Sequence, residues 1–130
     1  MSRPSGILVA VIDDDSSLCR ALGRLLRAAG MQSVAYASAE AFLADPDRSR
    51  FDCLVVDIQL SGMSGIELSQ SLTASGSTTP VIFSTAHHRP EIRDLAMQQH
   101  CAAYLRKADS GESVLAAINR AIECGHPNGS

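Results

Sequence analysis

The sequence predicts an α/β fold, a doubly wound parallel sheet of five strands accompanied by five helices. Three observations carry that prediction. Short apolar runs recur along the chain at Ile7–Ile12, Ser33–Tyr36, Cys53–Val56, Val81–Ser84 and Ala103–Leu105. Segments with helical periodicity lie between them. The runs are near-continuous rather than alternating, as expected of strands covered by helices on both faces.

The helices are justified in turn. Leu18, Ala21, Leu22, Leu25, Leu26 and Ala29 fall on one face of the first, and Gly30 stops it. The last helix repeats the pattern with Val114, Leu115, Ile118, Ala121 and Ile122. Weaker helical patterns cover Ala39–Ala44, Gly65–Thr73 and Glu91–Gln99. No repeat or second domain is visible. The organisation read from the sequence is an N-terminal extension (1–6), one folded unit (7–124) and a flexible tail (125–130).

Composition narrows the function classes. The 130 residues are 45% hydrophobic, enough for one domain with a real core. A net charge of -3 does not suit a nucleic-acid surface. No apolar run approaches the roughly 20 residues needed to span a membrane. The start, Met1 to Gly6, leads into too short an apolar run for a signal peptide, which points to the cytoplasm. Cys19, Cys53, Cys101 and Cys124 lack the spacing of a zinc site and are read as small apolar side chains.

The chemistry is carried by strand ends. The first run leads into Asp13-Asp14-Asp15 and the third into Asp57. Carboxylates placed together raise one another's pKa, and a hard cation such as Mg2+ commonly offsets the charge. In a parallel sheet, ligands bind beyond the carboxyl ends of the strands, where these acids would meet. Of eleven cationic residues only Lys107 is lysine, and it follows the fifth run. A hydroxyl, Thr85, ends the fourth. Alone, that threonine reads as a strand former, Tyr104 as a half-buried strand aromatic, and His87-His88 as solvated loop residues.

Together, Ile12-Asp13-Asp14-Asp15, Val56-Asp57, Thr85-Ala86 and Tyr104-Leu105-Arg106-Lys107 resemble the receiver domain of bacterial two-component response regulators. The resemblance covers about residues 6–124 and is nearest to receivers that precede LuxR-type DNA-binding domains. It implies a flavodoxin-like strand order of 2-1-3-4-5. Asp57 would be the phosphoacceptor. Asp13, Asp14, Asp57 and the backbone carbonyl of Gln59 would hold Mg2+. Lys107 and Thr85 would contact phosphoryl oxygens. Asp15 is read as a neighbour at the start of the first helix, where negative charge is favourable. Thr85 and Tyr104 would form a switch altering the surface of the fourth helix, fifth strand and fifth helix. Gln59 and His87 would tune access of the hydrolytic water.

The implied partners are a sensor histidine kinase or histidine phosphotransfer protein, and a second copy through that same surface. No membrane or direct nucleic-acid contact is expected. The chain would catalyse its own aspartyl phosphorylation and dephosphorylation without conventional turnover. It is either a single-domain regulator or the receiver fragment of a transcription factor. An alternative is a receiver with impaired or altered switching that acts mainly as a protein-interaction module. A flavin carrier is disfavoured because Asp13-Asp14-Asp15 stands where a phosphate-cradling loop is needed. A phosphohydrolase would place its nucleophile on the first strand, not the third.

Three positions depart from the family pattern. Ala108 replaces the proline after the lysine, so a trans peptide or a locally changed loop is expected there. Ser61 replaces a proline four residues after Asp57, suggesting a looser loop. His100 stands where glycine usually ends the fourth helix. The row Arg20, Arg24 and Arg27 on the first helix is read as a solvated face, with kinase docking as the sharper reading.

Overall fold

A computed structural model describes residues 6–86, 89–98, 103–107 and 111–125. Five strands form one sheet: β1 (Leu8–Ile12), β2 (Gln32–Tyr36), β3 (Cys53–Asp57), β4 (Val81–Thr85) and β5 (Ala103–Arg106). Five helices accompany them among the described residues: α1 (Ser16–Ala28), α2 (Ala39–Leu43), α3 (Gly65–Ala74), α4 (Pro90–Met97) and α5 (Gly111–Gly125). The strand order is β2-β1-β3-β4-β5, every pairing parallel, as the sequence led us to expect. Element ends differ from the sequence reading by a few residues.

The continuous apolar runs divide by parity between two cores, because successive strand side chains point to opposite faces. Ala10, Ile12, Leu54, Val56, Val81 and Phe83 pack on one side with Phe42 of α2 and Leu68 and Leu72 of α3. Val9, Val11, Cys53, Val55 and Ile82 pack on the other with Leu26 of α1 and Ala117, Ile118 and Ala121 of α5. Burial pushes the Cys53 thiol up to about 12, so it stays a neutral apolar filler. Beside α2, the rings of Tyr36 and Phe42 meet edge to face at 5.2 Å, with Phe51 6.0 Å from each.

Helix ends follow local chemistry. The Asp15 carboxylate caps α1, accepting from the N–H of Ser17 at 3.0 Å and of Leu18 at 3.2 Å. At the other end Gly30 adopts φ +83°. Its N–H donates to Arg27 O, while Met31 N–H donates back to Leu26 O and both apolar side chains bury. That is a Schellman termination, which needs a residue tolerant of the left-handed region. Gly76 ends α3 in the same way at φ +89°.

Two glycines in α1 and its cap therefore respond oppositely to alanine. Gly30→Ala forces a side chain into the left-handed region and is expected to cost about 1 kcal/mol. Gly23 lies inside the helix, where an added Cβ would meet Ser33 Oγ at an ordinary 3.5 Å. Gly23→Ala is expected to stabilise by about 0.5–1 kcal/mol. Urea unfolding curves of both variants check the opposite signs.

Candidate functional site

Strand register brings the distant acids together. Ile12 of β1 pairs with Val56 of β3, so Asp13 and Asp57 stand next along adjacent strands. Asp57 pairs with Ser84, and Thr85 with Arg106, so Lys107 follows one step beyond β5. Asp13, Asp57 and Lys107 continue the parity of Val11, Val55 and Leu105, on the α1 and α5 side of the sheet. Thr85 and Tyr104 continue the opposite parity, with Phe83.

Lys107 lies between the two buried acids. Its Nζ is 2.8 Å from Asp13 Oδ2 and 3.1 Å from Asp57 Oδ2. The carboxylates are almost fully enclosed, with side-chain exposures of 4% and 5%, so neither can rely on water for compensation. Their remaining oxygens take backbone donors. Asp13 Oδ1 accepts from Asp15 N–H at 2.9 Å, and Asp57 Oδ1 from Gln59 N–H at 3.0 Å. The Asp13 N–H donates to Tyr36 O at 3.0 Å, tying the acid to the end of β2. Lys107 N–H donates to Thr85 O at 2.8 Å, holding the lysine's backbone to β4.

The electrostatics follow from that enclosure. Burial pushes the Asp57 carboxyl above its ordinary range, and bonds from Gln59 and Lys107 reduce the rise without cancelling it. Burial opposes the Lys107 charge, but its bonds to Asp13 and Asp57 outweigh that and hold the ammonium pKa above normal. Cys19, whose Sγ donates to Asp13 O at 3.4 Å, is likewise raised by burial and then by Asp13.

Asp14 completes the acidic group. Oxygens from Asp13, Asp14 and Asp57 lie within 4.8 Å of one another. Ligands of an octahedral Mg2+ lie about 3 Å apart when adjacent and about 4.2 Å when opposite, given its ordinary bond lengths. The three carboxylates thus fit a small hard cation after slight contraction. One ammonium among three carboxylates leaves two negative charges, which a divalent ion would balance. Asp15, engaged with the N-terminus of α1, is outside this group.

Thr85 is fully buried, and Tyr104 is half-buried against the Phe83 core. Gln59 is exposed and is located here through its N–H. His87, His88, His100, Cys101, Asp109 and the Lys107–Ala108 bond lie outside the described residues, as does the side chain of Cys124.

Sequence reasoning missed two supports. Gly65 opens α3 directly against β3: a Cβ there would stand 2.4 Å from Asp57 O. Only hydrogen in that place lets the helix approach the acid's backbone. The signal available in sequence was a glycine at the start of a helical pattern, which alone does not reveal such contact. The second is the loop between β3 and α3. Where Ser61 suggested looseness, Glu40 Oε2 of α2 accepts from Met63 N–H at 2.9 Å, and a reciprocal capping box joins Ser64 and Glu67.

The raised Asp57 pKa has a stability consequence. Above its ordinary value of 3.8, the folded state retains the proton longer than the unfolded state. Stability contributed by this group is therefore lost as pH rises through the folded pKa. In metal-free protein, Asp57→Asn is expected to raise Tm at pH 7, with the gain shrinking as the pH approaches 4. Thermal melts across that range check both sign and trend.

Comparisons with known proteins agree with this geometry. Residues 9–119 match the model of the response regulator receiver domain. Response regulator protein TodT of Pseudomonas putida is 29% identical over 116 residues, 89% of this chain and 51% of that protein. Transcriptional regulatory protein FixJ of Azorhizobium caulinodans is 32% identical over 119 residues, 92% of this chain and 56% of that protein. This chain therefore spans about half the length of these curated relatives. The solved structure of response regulator StyR superposes with TM-score 0.84 at 34% identity, covering 93% of this chain and 61% of that one. A CheY-like receiver domain from Methanospirillum hungatei JF-1 has the same fold, with TM-score 0.85 at 20% identity and coverage of 94% and 98%. From the matched span and the shared fold it follows that this chain belongs to the response regulator receiver domain family of two-component signalling systems.

Proposed function

We propose that the chain is a phosphoacceptor receiver that takes a phosphoryl group from a histidine kinase or histidine phosphotransfer protein onto Asp57. The observation that carries this reading is the enclosed set of Asp13, Asp57 and Lys107 with Asp14 at its edge. An enclosed carboxylate paired with a cation and grouped with metal-suited acids reads as a poised nucleophile rather than a surface charge. Residues 7–124 form the receiver unit, with 1–6 an extension and 125–130 a tail.

In transfer, an Asp57 oxygen forms the bond to phosphorus as the phosphorus–nitrogen bond of phosphohistidine breaks. The electron pair of that bond stays on the imidazole. Asp13, Asp14, Asp57 and the Gln59 carbonyl would hold Mg2+, which supplies charge neutralisation for the transferred phosphoryl group. Lys107 leaves its carboxylate partners to pair with phosphoryl oxygens, keeping the same enclosed charge compensated. The Thr85 hydroxyl donates to another of those oxygens. Hydrolysis later restores the Asp57 carboxylate and releases inorganic phosphate, so the chemistry is self-catalysed and conventional turnover is absent.

Thr85 and Tyr104 continue the same side of the sheet, facing α4 rather than α5. Movement of the Thr85 hydroxyl towards phosphate changes the space beside Tyr104, and with it the surface of α4, β5 and α5. Leu95 and Met97 of α4 are 45% and 49% exposed, which supports a partner or a second copy of the chain on that surface. Arg20, Arg24 and Arg27 form an exposed basic row on α1 suited to an acidic kinase surface. Whether the chain acts as a single domain or feeds an attached transcriptional output, this surface is its means of signalling.

Acetyl phosphate with Mg2+ tests the reading. Intact mass should rise by one phosphoryl group in the wild type and not in Asp57→Ala. Lys107→Ala should slow modification by about 100-fold, the scale of removing one preorganised charge-stabilising group. A wild type that stays unmodified, and is also unmoved by beryllofluoride, would overturn the assignment.

A further inference from the structure

The loop between β3 and α3 carries one contact that neither the fold nor the transfer chemistry requires. Ser61 Oγ lies 3.5 Å from Asp14 Oδ2, joining residues 47 positions apart. Among the described residues, Ser61 is the one hydrogen-bond donor to the Asp14 side chain. Asp14 is the exposed member of the acidic group, whereas Asp13 and Asp57 are buried and held by Lys107 and backbone N–H groups. Without a donor, the Asp14 carboxylate would sample several rotamers in water, and only some would face its two neighbours.

The loop is built to present that hydroxyl. On one side of Ser61, Gln59 N–H is anchored on Asp57 Oδ1 at 3.0 Å. On the other, Met63 N–H is anchored on Glu40 Oε2 at 2.9 Å, and Ser64 N–H on Glu67 Oε1 at 2.9 Å. Between them Gly62 turns the chain at φ +76°, and a Cβ there would come within 2.8 Å of Glu40 Oε2. The Met63 bond holds the Glu40 carboxyl below its ordinary pKa, so the anchor stays charged at neutral pH. Anchors thus flank Ser61 on both sides, and its side chain is directed across the pocket mouth to Asp14.

We propose that Ser61 is a positioning residue that holds the Asp14 carboxylate facing Asp13 and Asp57, and so sets the affinity of the pocket for a divalent cation. A carboxylate has a second oxygen and further lone pairs, so accepting from Ser61 leaves it able to ligate. Groups that hydrogen-bond a metal's ligands typically alter affinity by about 10–100-fold when removed. The length and exposure of this bond place the expected effect lower. The inference rests on the reading of Asp13, Asp14 and Asp57 as a cation site.

The test is Mn2+ titration of the full chain followed by water-proton relaxation, which needs no phosphorylation. Wild type should bind saturably, and Asp57→Ala should weaken binding strongly. Ser61→Ala should weaken it about threefold to tenfold, following the same reasoning from ligand-supporting groups. Ser61→Thr, which restores a hydroxyl, should return affinity to within about twofold of wild type. Ser61→Ala binding equal to or tighter than wild type, or Thr failing to restore it, would overturn the proposal while leaving the cation site intact. Loss of saturable Mn2+ binding by the wild type, or no effect of Asp57→Ala, would overturn the site reading and this inference together.

Discussion

Enclosing two carboxylates at the end of a parallel sheet is the constraint on which the rest of this structure depends. Asp13 and Asp57 have little access to water, and two like charges so placed repel. Lys107 offsets them by reaching both at once. Removing Lys107 would leave both enclosed carboxylates uncompensated, and breaking a buried pair in that way typically costs about 3–5 kcal/mol. The arrangement is therefore costly as a structural device alone. It makes physical sense when the excess negative charge is wanted, as it would be for the divalent cation of the function proposed above.

The fold supplies the geometry that this constraint needs. Parallel pairing places every strand's carboxyl end at one edge of the sheet, and register sets Asp13 beside Asp57 with Lys107 on the same face beyond β5. Gly65 lets α3 start against the backbone of Asp57, and the Asp15 cap fixes the start of α1 beside Asp13. Thr85 sits at the end of β4 with the opposite parity, so a change in the pocket has a route to the α4 side through one buried side chain. In the function proposed above, that side chain would act in a switch between two packed arrangements rather than in a gradual deformation.

Much of this was legible in the sequence, for identifiable reasons. Buried parallel strands read as apolar runs, so Ile7–Ile12 and Cys53–Val56 announced both their own burial and the acids at their ends. Asp15 could be separated from Asp13 and Asp14 because helical periodicity begins just after it, and the structure has it capping α1. Lys107 was conspicuous as the single lysine, and its place beyond the fifth strand was correct. Its partners were not legible. The family resemblance implied phosphoryl oxygens as its partners in transfer; its pairing with Asp13 and Asp57 is additional and is set only by register across the four strands β1, β3, β4 and β5. The Gly65 approach and the Ser61–Asp14 bond were hidden for the same reason. Each joins segments whose proximity is a tertiary fact, and neither residue type signals it locally.

The single lysine also permits the most direct test of the account. Protein labelled with 15N only at lysine has one side-chain ammonium, that of Lys107. In metal-free protein its signal should show slowed proton exchange with water and titrate above the ordinary lysine range. Asp57→Asn should shift it, and Mg2+ with beryllofluoride should move it again as the ammonium exchanges carboxylate for phosphoryl-like partners. A signal that exchanges and titrates as a free lysine, and that ignores both Asp57→Asn and beryllofluoride, would contradict the account.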